Sequence, residues 1–336
     1  MQVTMRDLEF NRATLPLRAE LYFAGVTCAL FTNAAEIMTS LSRWMYRGEP
    51  GGRTIELEVL VDPAAKRIPD ASAHFRALHH LVFAVLSPDE KFVFDLIRRR
   101  CSGVVSLETA GDERFWTTRM VPLLLGLMGI TVGAFPLHCA CVERAGDGIL
   151  IAGRSQAGKS TLAVSLSRRG LALISDGWTY FTMDSDGDLT AHGISAPVKL
   201  LPDAVALFPE LQAYQPAKAF NGELAIEVDA AHVLNASVRT HATPRSIVIV
   251  ERTAESGSRI TPIDEKSVQN FFISSVELLP PPLEKLAEAR AELIAALSRI
   301  ECWKLHYGGS PDAAAEMIQR VCSRRRYANH ESCVVP

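Results

Sequence analysis

Apolar and polar positions change rhythm partway along the chain. Over the first hundred residues short apolar runs dominate. Thr54 to Val61 alternates strictly, with Ile55, Leu57, Val59 and Val61 on one side and Thr54, Glu56 and Glu58 on the other, which predicts a half-buried strand. Leu15 to Phe31 is apolar around Gly25 and predicts two short strands or one bent pair. YRGEPGGR at 46–53 reads as the turn leading into the 54–61 strand. Leu81–Leu86 and Phe92–Ile97 flank Ser-Pro-Asp-Glu-Lys as the arms of a hairpin. Asp112 to Met128 has helical spacing, with Asp112 as its N-cap.

From about residue 134 the order becomes strand, Gly-rich loop, helix, strand. Cys139–Glu143 and the run at 149–153 enclose Ala145-Gly146-Asp147-Gly148 as a β-hairpin, and its centre sets His138 opposite Gly153. LALIS (171–175) is a strand, and PRSIVIVE, ending at Glu251, is a central strand. Pro280 to Pro282 break the chain before a helix at 283–298. Cys302–His306 is a short strand, and Pro311 opens a helix to about Val321. Asp203 is expected to cap a helix starting at Ala204, and Lys199 is expected to be a solvated surface lysine. The alternation predicts an α/β fold. The expected domains are a sheet-containing one at 1–110, an α/β one at 111–322 and a polar tail at 323–336.

Composition narrows the class. The chain has 336 residues, 48% hydrophobic and 22% charged, which are globular values and exclude a disordered chain. Lys plus Arg number 35 and Asp plus Glu 38, a net charge of −3, so no nucleic-acid partner is expected. The first residues have no apolar run of the secretory kind. Val121–Phe135, broken by Pro122 and by Gly126, Gly129 and Gly133, reads as buried core, so no membrane partner is expected either. Seven scattered cysteines point to reduced thiols and a cytoplasmic protein. Cys139 and Cys141 share one face of a strand and read as small buried hydrophobes rather than a metal pair.

The chemistry concentrates at Gly153-Arg154-Ser155-Gln156-Ala157-Gly158-Lys159-Ser160-Thr161, which follows the pattern G-x-x-x-x-G-K-[ST]. ILIA precedes it as a buried strand, and TLAVSLSRRG follows with helical spacing. Glycines let backbone N–H groups turn inward as an anion nest, and a helix N-terminus adds partial positive charge. All nine residues are therefore expected to bind ATP, with Lys159 on the β- and γ-phosphates and the Ser160 hydroxyl on Mg²⁺. Asp176 ends the 171–175 strand, where α/β sheets carry their ligands. It is expected either to hold Mg²⁺ or to accept the proton of an attacking hydroxyl, or else to cap the turn at Gly177. His138, at the loop's mouth, is expected to contact phosphate, to tune the reacting carboxylate, or to be a satisfied structural histidine.

The segment 137–181, LHCACVERAGDGILIAGRSQAGKSTLAVSLSRRGLALISDGWTYF, resembles the nucleotide-binding core of HPr kinase/phosphorylase. It is more similar still to the HPr-kinase-related proteins of peptide-modification clusters, including kinases of lasso-peptide precursors. Weaker likeness extends over most of 113–321. The resemblance implies a P-loop kinase core of the HPr-kinase type, preceded by a smaller sheet-containing N-terminal domain. It implies transfer of the γ-phosphate of ATP to a serine hydroxyl of a peptide or protein. Asp176, His138 and Lys159 are then the catalytic residues, Ser160 and Asp176 the Mg²⁺ ligands, and a homo-oligomer is in keeping with the family. The reverse phosphorylase activity is not carried over. Two departures stand out: Gly177 occupies the place of the family's second acidic residue, and Arg154 and Gln156 change the loop. They keep open an alternative, a non-catalytic nucleotide-binding pseudokinase acting as a regulatory partner.

Overall fold

The apolar run around Gly25 folds into two antiparallel strands, β1 (Leu17–Phe23) and β2 (Val26–Thr32). Ala24 and Gly25 both take positive φ there, +52° and +75°, and reverse the chain. The computed structural model describes residues 11–45, 52–68, 73–194, 196–219, 223–254, 257–275 and 284–328. The turn expected at 46–53 falls mostly outside these residues, and the break at Pro280–Pro282 wholly so. Two units divide the chain, Met1–Pro136 with Leu278–Arg290 and Leu137–Glu277 with Ala291–Pro336.

The first unit continues through α1 (Ala35–Ser40), β3 (Thr54–Val61), β4 (His74–Leu78), β5 (Leu81–Val85), β6 (Lys91–Asp95) and β7 (Arg100–Val105). These strands form one sheet in the order β1, β2, β3, β7, β6, β5, β4. Strand β3 lies inside it, between β2 and β7 and parallel to both. Its expected polar face is wet at Thr54 and half-buried at Glu56, but closed at Glu58. Glu58 is buried there, accepting hydrogen bonds from Ser102 Oγ (3.0 Å) and Arg12 Nε (3.3 Å). An interior strand has neighbours on both sides, and Arg100 of β7 (3.7 Å) and Arg12 from a turn before β1 close over Glu58.

After α2 (Leu107–Gly111) come α3 (Glu113–Phe115) and α4 (Val121–Met128). They belong to one helical stretch, Glu113–Val132, long and apolar enough by length and composition to cross a membrane. Asp112 caps its start, accepting from Phe115 N–H at 3.0 Å. Within it Trp116, Met120, Val121, Leu124, Leu125 and Met128 are buried. The indole of Trp116 meets Phe92 of β6 edge-on at 6.4 Å, and Arg67 pairs with Asp112 at 2.6 Å. These contacts tie the stretch to the first unit, so the boundary expected at 110/111 falls inside that unit.

Strand β8 (Phe135–Leu137) leads into the second unit, which comprises β9 (Cys139–Arg144), β10 (Asp147–Gly153), α5 (Lys159–Arg168), β11 (Ala172–Ser175), β12 (Thr179–Met183), β13 (Leu189–His192), β14 (Val198–Leu200), β15 (Ala217–Lys218), β16 (Leu224–Val228) and α6 (Ala230–Val233). The chain continues with β17 (His241–Arg252), β18 (Ser258–Pro262), α7 (Glu265–Ser275), α8 (Glu284–Ser298), β19 (Glu301–Tyr307) and α9 (Pro311–Ala328), all in the second unit except the part of α8 up to Arg290, which belongs to the first. The sheet runs β11, β9, β10, β17, with β19 beside β17. Strands β10, β17 and β19 are mutually parallel, β9 is antiparallel to β10, and β11 is antiparallel to β9. The carboxyl ends of β10, β11, β17 and β19 and the amino end of β9 therefore share one edge of the sheet. Leu162 and Leu166 of α5 join Ile318 of α9 over Ala140, Ile151, Val248 and Leu305 as the core.

Two local expectations change. Helix α9 runs on to Ala328, through the start of the expected tail, because no Gly or Pro interrupts 312–328. Asp203 lies inside a short 3₁₀ turn, Pro202–Ala206, whose cap position is Leu201.

Candidate functional site

The β9–β10 hairpin sets the geometry. Ala145 and Gly146, both with positive φ (+53° and +89°), form its two-residue turn, whose twist matches that of the strands. Pairing runs from Arg144 with Asp147 to Cys139 with Ala152, so the next position places His138 across from Gly153. A Cβ at Gly153 would lie 2.8 Å from the Val250 carbonyl of β17, so this turn-out point admits only glycine without displacement.

The loop then bends through Gln156 (φ +63°) and Gly158 (φ +90°). Gly158 is the N-cap of α5 and offers no capping side chain, which leaves the first-turn N–H groups to face an incoming anion. A side chain at 158 would overlap the Tyr307 hydroxyl. Arg154, Ser155 and Gln156 are exposed, Ala157 is buried, and Ser160 and Thr161 are half-buried. Lys159 is buried, and its ammonium donates to the carbonyls of Gly153 and Arg154, each at 3.0 Å. The charge therefore arches across the loop. Burial pushes its pKa down, and nearby Asp176 opposes that shift.

Asp176 follows directly on β11. Its Oδ2 accepts from the Lys199 backbone N–H at 3.0 Å, while Oδ1 is sealed from solvent without a hydrogen-bond partner. The residue as a whole is only half-buried, but the carboxylate is the hidden part. Burial pushes its pKa up, against the Ser160 hydroxyl, the Lys199 N–H and the Lys159 and Lys199 charges, which favour the ionised form. Lys199, expected to be a surface lysine, thus holds the carboxylate through its backbone while its Nζ pairs with Glu223 at 2.6 Å. A buried carboxylate oxygen left over beside a hydroxyl at a helix start is a hard-oxygen donor set. Mg²⁺ takes one or two carboxylates plus phosphate oxygens and waters, so Ser160 and Asp176 fit that ion.

His138 is half-buried, its pKa lowered to about 4 by burial and then by the Lys159 and Lys199 charges. It is neutral at pH 7. Its ring lies 5.1 Å from that of Trp178. Gly177, at φ +82°, makes the turn that brings Trp178 there, with the Trp178 N–H donating to the Asp176 carbonyl at 3.1 Å. The missing second acid thus stands at a position whose backbone favours glycine.

On the other flank, Glu251 at the end of β17 pairs with Lys304 (2.7 Å) and lies 3.8 Å from His306 Nδ1. Arg252 stands over the Tyr307 ring at 5.7 Å. Sequence reasoning missed Tyr307, Trp178, Lys304 and Arg252. For Tyr307, Trp178 and Arg252 the one signal was a place at or just past a strand end, where open sheets bind ligands; Lys304, in the middle of β19, gave none. Cys139 and Cys141 are buried free thiols, pushed up to about 12 and well above the usual range respectively. Among the described residues no group of three or more His, Cys, Asp or Glu is placed to hold a metal.

No protein-family model matches the chain, and no curated protein matches it. Among solved structures it is similar to the Hpr(Ser) kinase/phosphatase from Coxiella burnetii, at 15% identity and a TM-score of 0.29, over 59% of this chain and 93% of that one. A likeness of that size decides neither fold nor activity. The chemistry available at the sheet edge rests on its own geometry: an anion nest, a buried lysine and a sealed carboxylate on one side of a strand–loop–helix turn.

Proposed function

We propose that this chain is an ATP-dependent kinase that transfers the γ-phosphate to a serine hydroxyl of a peptide or protein. The observation that carries the reading is the juxtaposition of Lys159, arched over the Gly153–Thr161 loop, with the sealed and half-satisfied carboxylate of Asp176, close enough for each charge to act on the other. The loop amides and Lys159 bind the triphosphate. Ser160 and Asp176 would hold Mg²⁺, which when bound neutralises the charge of the phosphates. Where Asp176 is not engaged with Mg²⁺ it would instead take the proton of the serine Oγ, once the bound acceptor opens access to the carboxylate that the free chain seals from solvent. As that proton leaves, the Oγ–P bond forms, the bond from the γ-phosphorus to the β–γ bridging oxygen breaks, and ADP departs. Neutral His138 can hydrogen-bond the transferring group without adding charge.

The partner is then a peptide or protein with an accessible serine, a ribosomally made precursor peptide among them, in a reducing cytoplasm. Calorimetry with Mg·ATP and labelled-phosphate transfer to serine peptides test the reading. Lys159→Ala should weaken Mg·ATP binding by at least about tenfold, in line with loss of a charge-assisted contact. Equal binding by the wild type and Lys159→Ala would overturn it. A pseudokinase is the second reading, favoured by Gly177, which puts no second carboxylate beside Asp176. It predicts tight Mg·ATP binding with no transfer to any acceptor.

A further inference from the structure

An exposed tryptophan beside a phosphate-binding loop is an unusual use of an expensive surface. Trp178 leaves 47% of its surface open, although it stands two residues past Asp176. Single exposed apolar side chains are ordinary and need no explanation. This one differs in its placement. The Gly177 turn and the hydrogen bond from its own N–H to the Asp176 carbonyl fix its backbone, and the His138 ring supports one side of the indole at 5.1 Å. A backed and anchored ring presents a firm flat surface.

We propose that the Trp178 indole, backed by His138, is the recognition platform for a large apolar side chain flanking the acceptor serine. The inference rests on the kinase reading of the same site. A serine whose Oγ approaches Asp176 places its chain neighbours about 3.8 Å away per residue along the backbone, and Trp178 stands two residues past Asp176. The nearby cations have other engagements: Lys159 on the loop carbonyls, Lys199 with Glu223. Beside Asp176 the His138 and Trp178 rings offer a flat surface, and rings favour apolar or aromatic contact. His138 lies across from Gly153, at the start of the loop, whereas the nucleoside leaves from the α-phosphate, which the loop's backbone cradles further along. The indole therefore serves the acceptor rather than the base.

The test measures equilibrium binding of fluorescently labelled serine peptides that differ only in the residues next to the serine, namely Leu, Phe, Ala or Glu. It uses the full chain with a non-hydrolysable Mg·ATP analogue. Wild type should bind the Leu and Phe peptides about tenfold or more tighter than the Ala peptide, the usual range for an apolar pocket contact. Trp178→Ala should level these affinities, Trp178→Phe should keep most of the preference, and Mg·ATP affinity should stay within about twofold, as expected for a residue off the phosphate contacts. Trp178→Gln serves in place of Trp178→Ala if the latter misfolds. No flank preference in wild type, or a preference that survives both Trp178→Ala and Trp178→Gln, overturns the proposal. So does a loss confined to Mg·ATP affinity, which would assign the indole to the adenine. Transfer assays separate the two readings. Preference without transfer removes the kinase reading and leaves the platform, and transfer without preference does the reverse.

Discussion

The Tyr307 hydroxyl fills the space into which a side chain at Gly158 would grow, and Gly158 holds φ at +90°. Both constraints fall on the residue that opens α5. The shape of the loop is thus set partly by the end of β19, a strand from far along the chain. Gly158→Ala should cost about 1–2 kcal/mol from the positive φ alone, with the overlap added to that. Mg·ATP binding, followed by calorimetry, should be lost or cut severely. Tyr307→Phe in the same chain should restore part of it, because the oxygen in the way is then gone. Unchanged binding by Gly158→Ala would mean that the close approach is absent in solution.

Tyr307→Phe alone bears on a different quantity. The hydroxyl is buried without a hydrogen-bond partner, a situation that costs about 1–3 kcal/mol. Removing it should leave the urea midpoint unchanged or raise it. A lower midpoint would show that the hydroxyl has found a partner.

Gln156 and Gly177 test the backbone of the loop and of the turn after β11. Gln156 holds φ at +63° with a side chain present, so Gln156→Gly should stabilise the protein by about 1 kcal/mol. Gly177, at φ +82°, has open space around a would-be Cβ, so the cost of a side chain there is conformational. Gly177→Asp should lower stability by about 1 kcal/mol, Asp tolerating this region better than most residues. Thermal melts of the two variants should shift in opposite directions.

Asp176→Asn separates charge from shape. The amide oxygen can still accept from Lys199 N–H, and the variant no longer buries a carboxylate. Unliganded stability should therefore hold or rise, while phosphate transfer falls by about 10²–10⁴-fold, the usual share of a general base. Unfolding curves and initial rates measured on one preparation check both halves.

His138 gives the protein an acid-sensitive component. Its pKa falls from 6.5 to about 4 on folding, so the unfolded chain binds the proton more readily between those values. Its contribution is complete above about pH 6.5 and is lost as pH drops toward 4. His138→Asn should flatten that part of the stability profile, which urea titrations at half-unit pH steps will resolve. An unchanged slope between pH 4 and 6.5 would mean that the imidazole is solvated.

Period and turn chemistry made much of this protein legible before any coordinates. The strict alternation at Thr54–Val61, the Asp112 cap and the centre of the 139–153 hairpin each depend on residues within a few positions of one another, although the turn is two residues, Ala145-Gly146, and not the four expected at 145–148. The same locality placed the Gly153–Thr161 loop between a strand and a helix and put His138 across from Gly153, because a hairpin with a known turn has one register. Other relationships arise where distant strands become neighbours, and no local pattern encodes that adjacency. Glu58 is buried because Arg12 and Ser102 come over it from outside its own strand. Asp176 is held by the backbone of Lys199, a group that carries no side-chain signature at all. Gly177 reads in sequence as a lost acid, but its φ of +82° shows a turn that glycine favours sterically. Tyr307 reaches Gly158 only because parallel pairing of β19 with β17 carries its ring to the edge where β10 ends.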